Sequence, residues 1–179
     1  MSPRDPWLSA ILTRSRTEKS QAERAIAQLS DAELHKRPAA GFNSVATIVR
    51  HVGGNLISRW TDFLTTDGDK PERDRESEFA DWGGSRDELM QRWERGFRLF
   101  FDTIESLSDE DLQKTIYIRS EPHTVPLAIV RSATHTAYHV GQILYVARLV
   151  HEGEWKYLTV APGASDPFNR QMETKGGKR

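Results

Sequence analysis

In the segment RSATHTAYHVGQILYVARLV, residues 131–150, His135 and His139 stand four positions apart. On a helix that spacing stacks two side chains on one face, about 6 Å apart along the axis. Two imidazoles placed this way can converge on one metal ion, which is why the spacing recurs in metal sites. It serves equally well for two packed core rings, each hydrogen-bonded to a neighbour, and the pair alone leaves both readings open. A third histidine shifts the balance. His51 falls on the apolar stripe of another helical segment, between Ile48 and Asn55. Three histidines facing one interior is an expensive way to build a core, since each buried ring needs a polar partner. Three neutral imidazoles with a fourth position left to water or substrate form an open metal centre. Asn55, one turn below His51, and Gln142, three residues past His139, are placed to contact the ligands or a substrate. Tyr138 is placed to line a pocket beside them, although an aromatic at helical spacing is more often core.

The elements that must carry these residues are helical. Leu8, Ile11, Leu12, Ala22, Ala25, Ile26 and Leu29 make one stripe with a polar middle. Ser30 is placed to cap a short turn in SDAEL. A second helix is expected from Ser44 to about Thr66, carrying Val45, Ile48, His51, Val52, Asn55, Leu56, Trp60 and Phe63 inward. Residues 67–84 lack an apolar period and are rich in Gly, Pro and charge, as a long connection would be. A third helix is expected from Ser85 to Leu107. SDEDL at 108–112 repeats the capped-turn pattern, and QKTIYIRSEPHTV reads as irregular or weakly extended. The fourth helix is expected from Thr124 to His151, with Pro126 in its first turn. The expectation is an all-α four-helix bundle over residues 1–160, with 161–179 a loosely packed tail. The 67–84 connection is long enough to cross the bundle and leave helices two and three parallel.

Composition narrows the function. Lys+Arg 25 against Asp+Glu 26 gives a net charge of −1, so there is no basic face for nucleic acid and no polybasic anchor for a membrane. The absence of cysteine removes disulfides, thiolate nucleophiles and cysteine-ligated metals. No run is long and apolar enough for a signal peptide or a transmembrane span, and a soluble cytoplasmic protein is the expectation. The aromatic load (Trp60, Trp82, Trp93, Phe97, Phe100 and Phe101) suggests a homodimer, because not all of it need fit one core. Of the remaining histidines, His35 lies in a capped turn, His123 just before the fourth helix, and His151 in its last turn. None of the three is expected to serve the site.

Two tempting motifs fail. HTAYH has Thr136 where a zincin protease needs its glutamate. DGDKPERDRESE imitates a calcium loop at Asp67, Asp69 and Glu78. Pro71 and Glu72 stand where a ligand and a glycine belong, and Lys70, Arg73 and Arg75 would repel the ion. A salt-bridged crossover is the better reading.

Two blocks, NSVATIVRHVGGNLISRWTDFLTTDGDKPERDRESEF and EPHTVPLAIVRSATHTAYHVGQILYVARL, resemble the DinB/YfiT-like superfamily. They are closest to a bacterial branch marked by GN…SRW.DFLTTDG.KP, and the resemblance covers most of residues 7–151. It implies an up-down-down-up four-helix bundle and a divalent metal, zinc or nickel, on His51, His135 and His139. It also implies a small-molecule substrate. Some relatives resemble S-transferases or isomerases that use a low-molecular-weight thiol, and others metal-dependent hydrolases. The sequence shows no carboxylate on the inward stripes to act as general base, which weakens hydrolysis more than thiol transfer. The rival class is a non-catalytic metal-binding or stress-response protein.

Overall fold

The computed structural model describes residues 5–175. Four long helices, α1 (Pro6–Ile26), α3 (Val45–Trp60), α4 (Arg86–Ser106) and α5 (Val125–Val150), form a four-helix bundle. A short α2 (Asp31–His35) joins the first two. Each helix begins where the chain supplies a side-chain acceptor for its free backbone N–H groups. Asp5 accepts from Trp7, Ser44 from Thr47 and Thr124 from Leu127. Ser85 with Glu88, and Ser30 with Glu33, close full capping boxes. SDEDL repeats the device around a short 3-10 turn, with Ser108 and Asp111 bonding each other's backbone N–H.

Side-chain contacts fix the helix directions. Gly53 lies against Arg92, Leu56 against Gly96 and Trp60 against Phe100, so α3 and α4 run the same way. Arg16 pairs with Glu105 and Lys19 with Glu94, so α1 opposes α4. Trp60 donates to Ser132 while His51 meets His139, so α5 opposes α3. The core between them holds Leu34, Leu56, Trp60, Leu89, Trp93, Phe97, Ile104, Ile129 and Ile143, each almost fully buried. The aromatic load fits inside one chain. Trp60, Trp93, Phe97, Phe100 and Phe101 are buried and Trp82 is half-buried, which removes the premise for a partner to cover them. The polar middle of α1 is buried too, as Ser15 and Glu18, with Glu18 paired to Arg14.

Two elements differ from the sequence reading. The second long helix stops at Trp60 rather than near Thr66, because Asp62 adopts φ 47° and its carbonyl accepts from Thr65 and Thr66 in a turn. The segment after SDEDL is an antiparallel hairpin, β1 (Thr115–Ile118) with β2 (Glu121–Thr124), pairing Thr115 with Thr124 and Ile118 with Glu121. Ile116 and Ile118 alternate inward, which gives the strand its buried face. Its two-residue turn places Arg119 and Ser120 at positive φ, 55° and 61°, a geometry that normally selects Asn-Gly. The Asp67 carboxylate offsets that strain by accepting from both backbone N–H groups, at 2.8 and 2.7 Å. Beyond the bundle, α6 (Ser165–Lys175) is a helix whose described side chains are all exposed. No helix among the described residues is long and apolar enough to cross a membrane.

Candidate metal centre

His51 projects from α3, and His135 and His139 from α5, into one space at the α3–α5 contact. One ring nitrogen of each lies within 4.8 Å of the others. Ring centroids are 4.5 Å apart for His135–His139, 4.9 Å for His51–His139 and 5.4 Å for His51–His135. The distal nitrogens are fixed from behind. His51 Nδ1 lies 3.0 Å from Glu78 Oε2, and His139 Nδ1 lies 2.7 Å from Gln142 Oε1. Both partners accept, so both rings carry their proton on Nδ1 and turn an Nε2 lone pair inward. His139 Nε2 then faces His135 Nε2 at 3.2 Å.

That arrangement fits a cation. The ring nitrogens converge, and His135 Nδ1 is buried without a hydrogen-bond partner, so no group behind that ring fixes it and its Nε2 faces only His139. Protonation does not supply the missing charge. Burial pushes His135 down to about 3, helped by His139, His51, Arg59 and Arg73, and burial also lowers His139. Both shifts favour the neutral ring, the state a metal requires. No fourth His, Cys, Asp or Glu joins the cluster among the described residues. Three imidazoles leave a position open.

Glu78 is the residue against this cluster that sequence reasoning missed. It sits in a 3-10 turn (Glu76–Phe79) inside the long connection and is 1% exposed. Arg73 donates to both its oxygens, at 3.0 and 2.7 Å, and Arg92 approaches at 3.3 Å. Burial alone would raise its pKa, but the hydrogen bonds from His51 and Arg73 overcome this and hold it below the ordinary value. Glu78 is therefore an ionised orienting group for His51, already committed to its partners, and not a free base. Gly54 makes the approach sterically feasible, since a Cβ there would overlap the Glu78 carboxylate and the Arg92 guanidinium. The imitation calcium loop is a salt-bridged crossover: Asp67 caps the hairpin turn, Asp69 pairs with Arg119 at 3.0 Å, and Glu78 serves the histidine.

The other singled-out residues fall on two sides of the centre. Gln142 bonds His139 directly. Tyr138 is exposed, its ring centroid lies 5.6 Å from that of His139 in an edge-on arrangement, and with Gln142 it lines an apolar groove of about 520 Å³ beside Phe42, Ile48 and Tyr145. Asn55 lines a smaller cavity of about 210 Å³ that reaches His51 and His135 from the opposite side. His123 is buried in β2, donating to the Glu121 carbonyl and accepting from Arg131 at 2.7 Å. His35 lies 5.8 Å from the Trp82 ring, and His151 Nδ1 lies 3.1 Å from Glu33. None of these three joins the cluster.

Comparison with known proteins agrees with this architecture. The structure of YfiT from Bacillus subtilis, described as a probable metal-dependent hydrolase with an unusual four-helix bundle topology, superposes with a TM-score of 0.65. It is 16% identical, over 83% of this chain and 92% of that one. A conserved protein from Enterococcus faecalis gives 0.61 at 21% identity, over 80% and 95%. At such identities the likeness establishes the fold. No curated protein matches the sequence. A family described as "Protein of unknown function (DUF1572)" matches residues 3–164, and the chain belongs to that family.

Proposed function

We propose that the protein is a divalent-metal-dependent enzyme of small molecules, using zinc or nickel on His51, His135 and His139. The observation that carries this reading is the convergence of three imidazoles, two of them locked from behind, with no fourth protein ligand among the described residues. Such an ion supplies Lewis acidity, which draws the pKa of a water or thiol beside it toward neutrality. The chain's own residues do the rest. Glu78 and Gln142 hold two rings in the ligating tautomer, and the flanking groove and cavity give a substrate two walls.

Transfer of a low-molecular-weight thiol is the reaction these residues favour. The sulfur loses its proton to solvent and bonds an electrophilic carbon, and the leaving group departs with its electron pair. A thiol starts near pKa 8.5, far below water, so it needs no protein base, and Glu78 is not free to be one. Hydrolysis is the second reading, supported by the description given to the Bacillus subtilis relative. Metal-loaded protein assayed with small thiols plus an activated electrophile, and separately with activated esters, distinguishes the two. Conjugation lost in His135→Ala supports transfer, whereas ester cleavage without thiol moves the assignment to hydrolase. Neither activity from protein that holds its metal would leave a binding protein without turnover.

A further inference from the structure

The cavity that reaches His51 and His135 is lined by five arginines, Arg59, Arg73, Arg75, Arg119 and Arg131, and by no carboxylate. They come from α3, the long connection, the hairpin turn and α5, so no single helix face dictates the cluster. In a chain of net charge −1, five guanidiniums around about 210 Å³ demand a reason.

Most of them have partial partners outside the cavity. Arg73 is committed to Glu78, Arg75 to Glu76, and Arg119 to Asp69. Arg131 reaches Glu121 only at 4.0 Å and spends one N–H on His123. Arg59 has no ion pair among the described residues, and its Nη1 is buried with no hydrogen-bond partner. Burial lowers Arg59 to about 10, with Arg131, Arg73 and Arg119 pushing the same way against a partial offset from Asp69. A buried donor without an acceptor is costly, and more so for a charged group. The strained turn adds to the picture, because Arg119 is held at the cavity wall at positive φ by Asp67. Strain of this kind collects at ligand sites.

We propose that this cavity binds an oxyanion, so that the substrate of the adjacent histidine centre is a small molecule carrying a carboxylate or phosphate group. Guanidinium forks match both groups in bidentate geometry. The volume suits an anionic group with a short stem, since drug-sized ligands need about 300–1,000 Å³. Opposite the cavity, the apolar groove past Tyr138 is free to take a less polar reactant. Calling the anion a substrate rests on the metal-enzyme reading above, whereas its binding does not.

The test therefore uses metal-free full-length protein and isothermal titration with inorganic phosphate and, separately, acetate at constant ionic strength. Saturable binding is expected, weakened about tenfold in Arg59→Gln and in Arg131→Gln, as for loss of one charge-assisted contact. Arg59→Lys, which keeps the charge and loses the fork, should fall between. Lys36→Gln, which removes an exposed positive charge that does not line the cavity, should bind the anion as the wild type does. The tighter of the two probes identifies the substrate group. No saturable binding of either anion, or equal binding by wild type and both Gln variants with native circular dichroism, overturns the proposal while leaving the metal centre untouched.

Discussion

Removing the Glu78 carboxylate would leave Arg73, only 6% exposed, without its main partner, and His51 without its acceptor. Breaking a buried pair from one side costs about 3 kcal/mol, so Glu78→Ala should lower unfolding stability by that order in denaturant titration. Glu78→Gln keeps an oxygen for His51 and a similar volume, so it should fold better. It should still lose about tenfold in metal affinity, the usual effect of disturbing a carboxylate behind a ligating histidine. Unchanged metal affinity in Glu78→Gln would mean the carboxylate serves only its arginines. The three histidines were legible in the sequence because helical periodicity alone places i and i+4 together and puts His51 on an inward stripe. Glu78 was not, because a residue in an aperiodic connection has no face until the chain is folded. Its partner His51 stands 27 positions away.

At the scale of elements, α3 must let the connection lie flat against it, and Gly54 is where this happens. Gly54→Ala, which touches no ligand, should push Glu78 off the helix and weaken metal binding. The helix itself gains about 1 kcal/mol of intrinsic propensity. Metal affinity equal to wild type in a stable Gly54→Ala protein would contradict the packing described. A second junction ties α2 to the end of α5. There Glu33 accepts from the Ser30 backbone and hydroxyl and from the Glu152 backbone, beside His151. The Ser30 backbone bond, then that of Glu152, hold its pKa at about 2 against an ordinary 4.5. A depressed folded pKa stabilises above the unfolded value and ceases to do so below the folded one. The stability difference between wild type and Glu33→Gln should thus be full at neutral pH and shrink between about 4.5 and about 2. A difference that stays constant through that window would place the effect elsewhere. The capped turns were legible as Ser-x-x-Glu or Ser-x-x-Asp patterns, and the helices as stripes. The hairpin was not, since its turn uses Arg-Ser where the usual signal is Asn-Gly, and the compensating Asp67 lies some fifty residues earlier.

Over the whole molecule, the sequence conveyed that the interior is a helical bundle and that three histidines face one space within it. It did not convey that the bundle holds its aromatic load within one chain, because stripes give faces and not volumes. Nor did it reveal the basic cavity, whose arginines converge only through the α3–α5 packing and the folded connection. The most direct measurement for the account is metal content of protein purified without added metal, set beside a His51→Ala/His139→Ala double variant. Close to one divalent ion per chain is expected in the wild type and almost none in the variant, with matching circular dichroism. Equal metal in the two proteins, or none in the wild type even after dialysis against zinc or nickel, would contradict it.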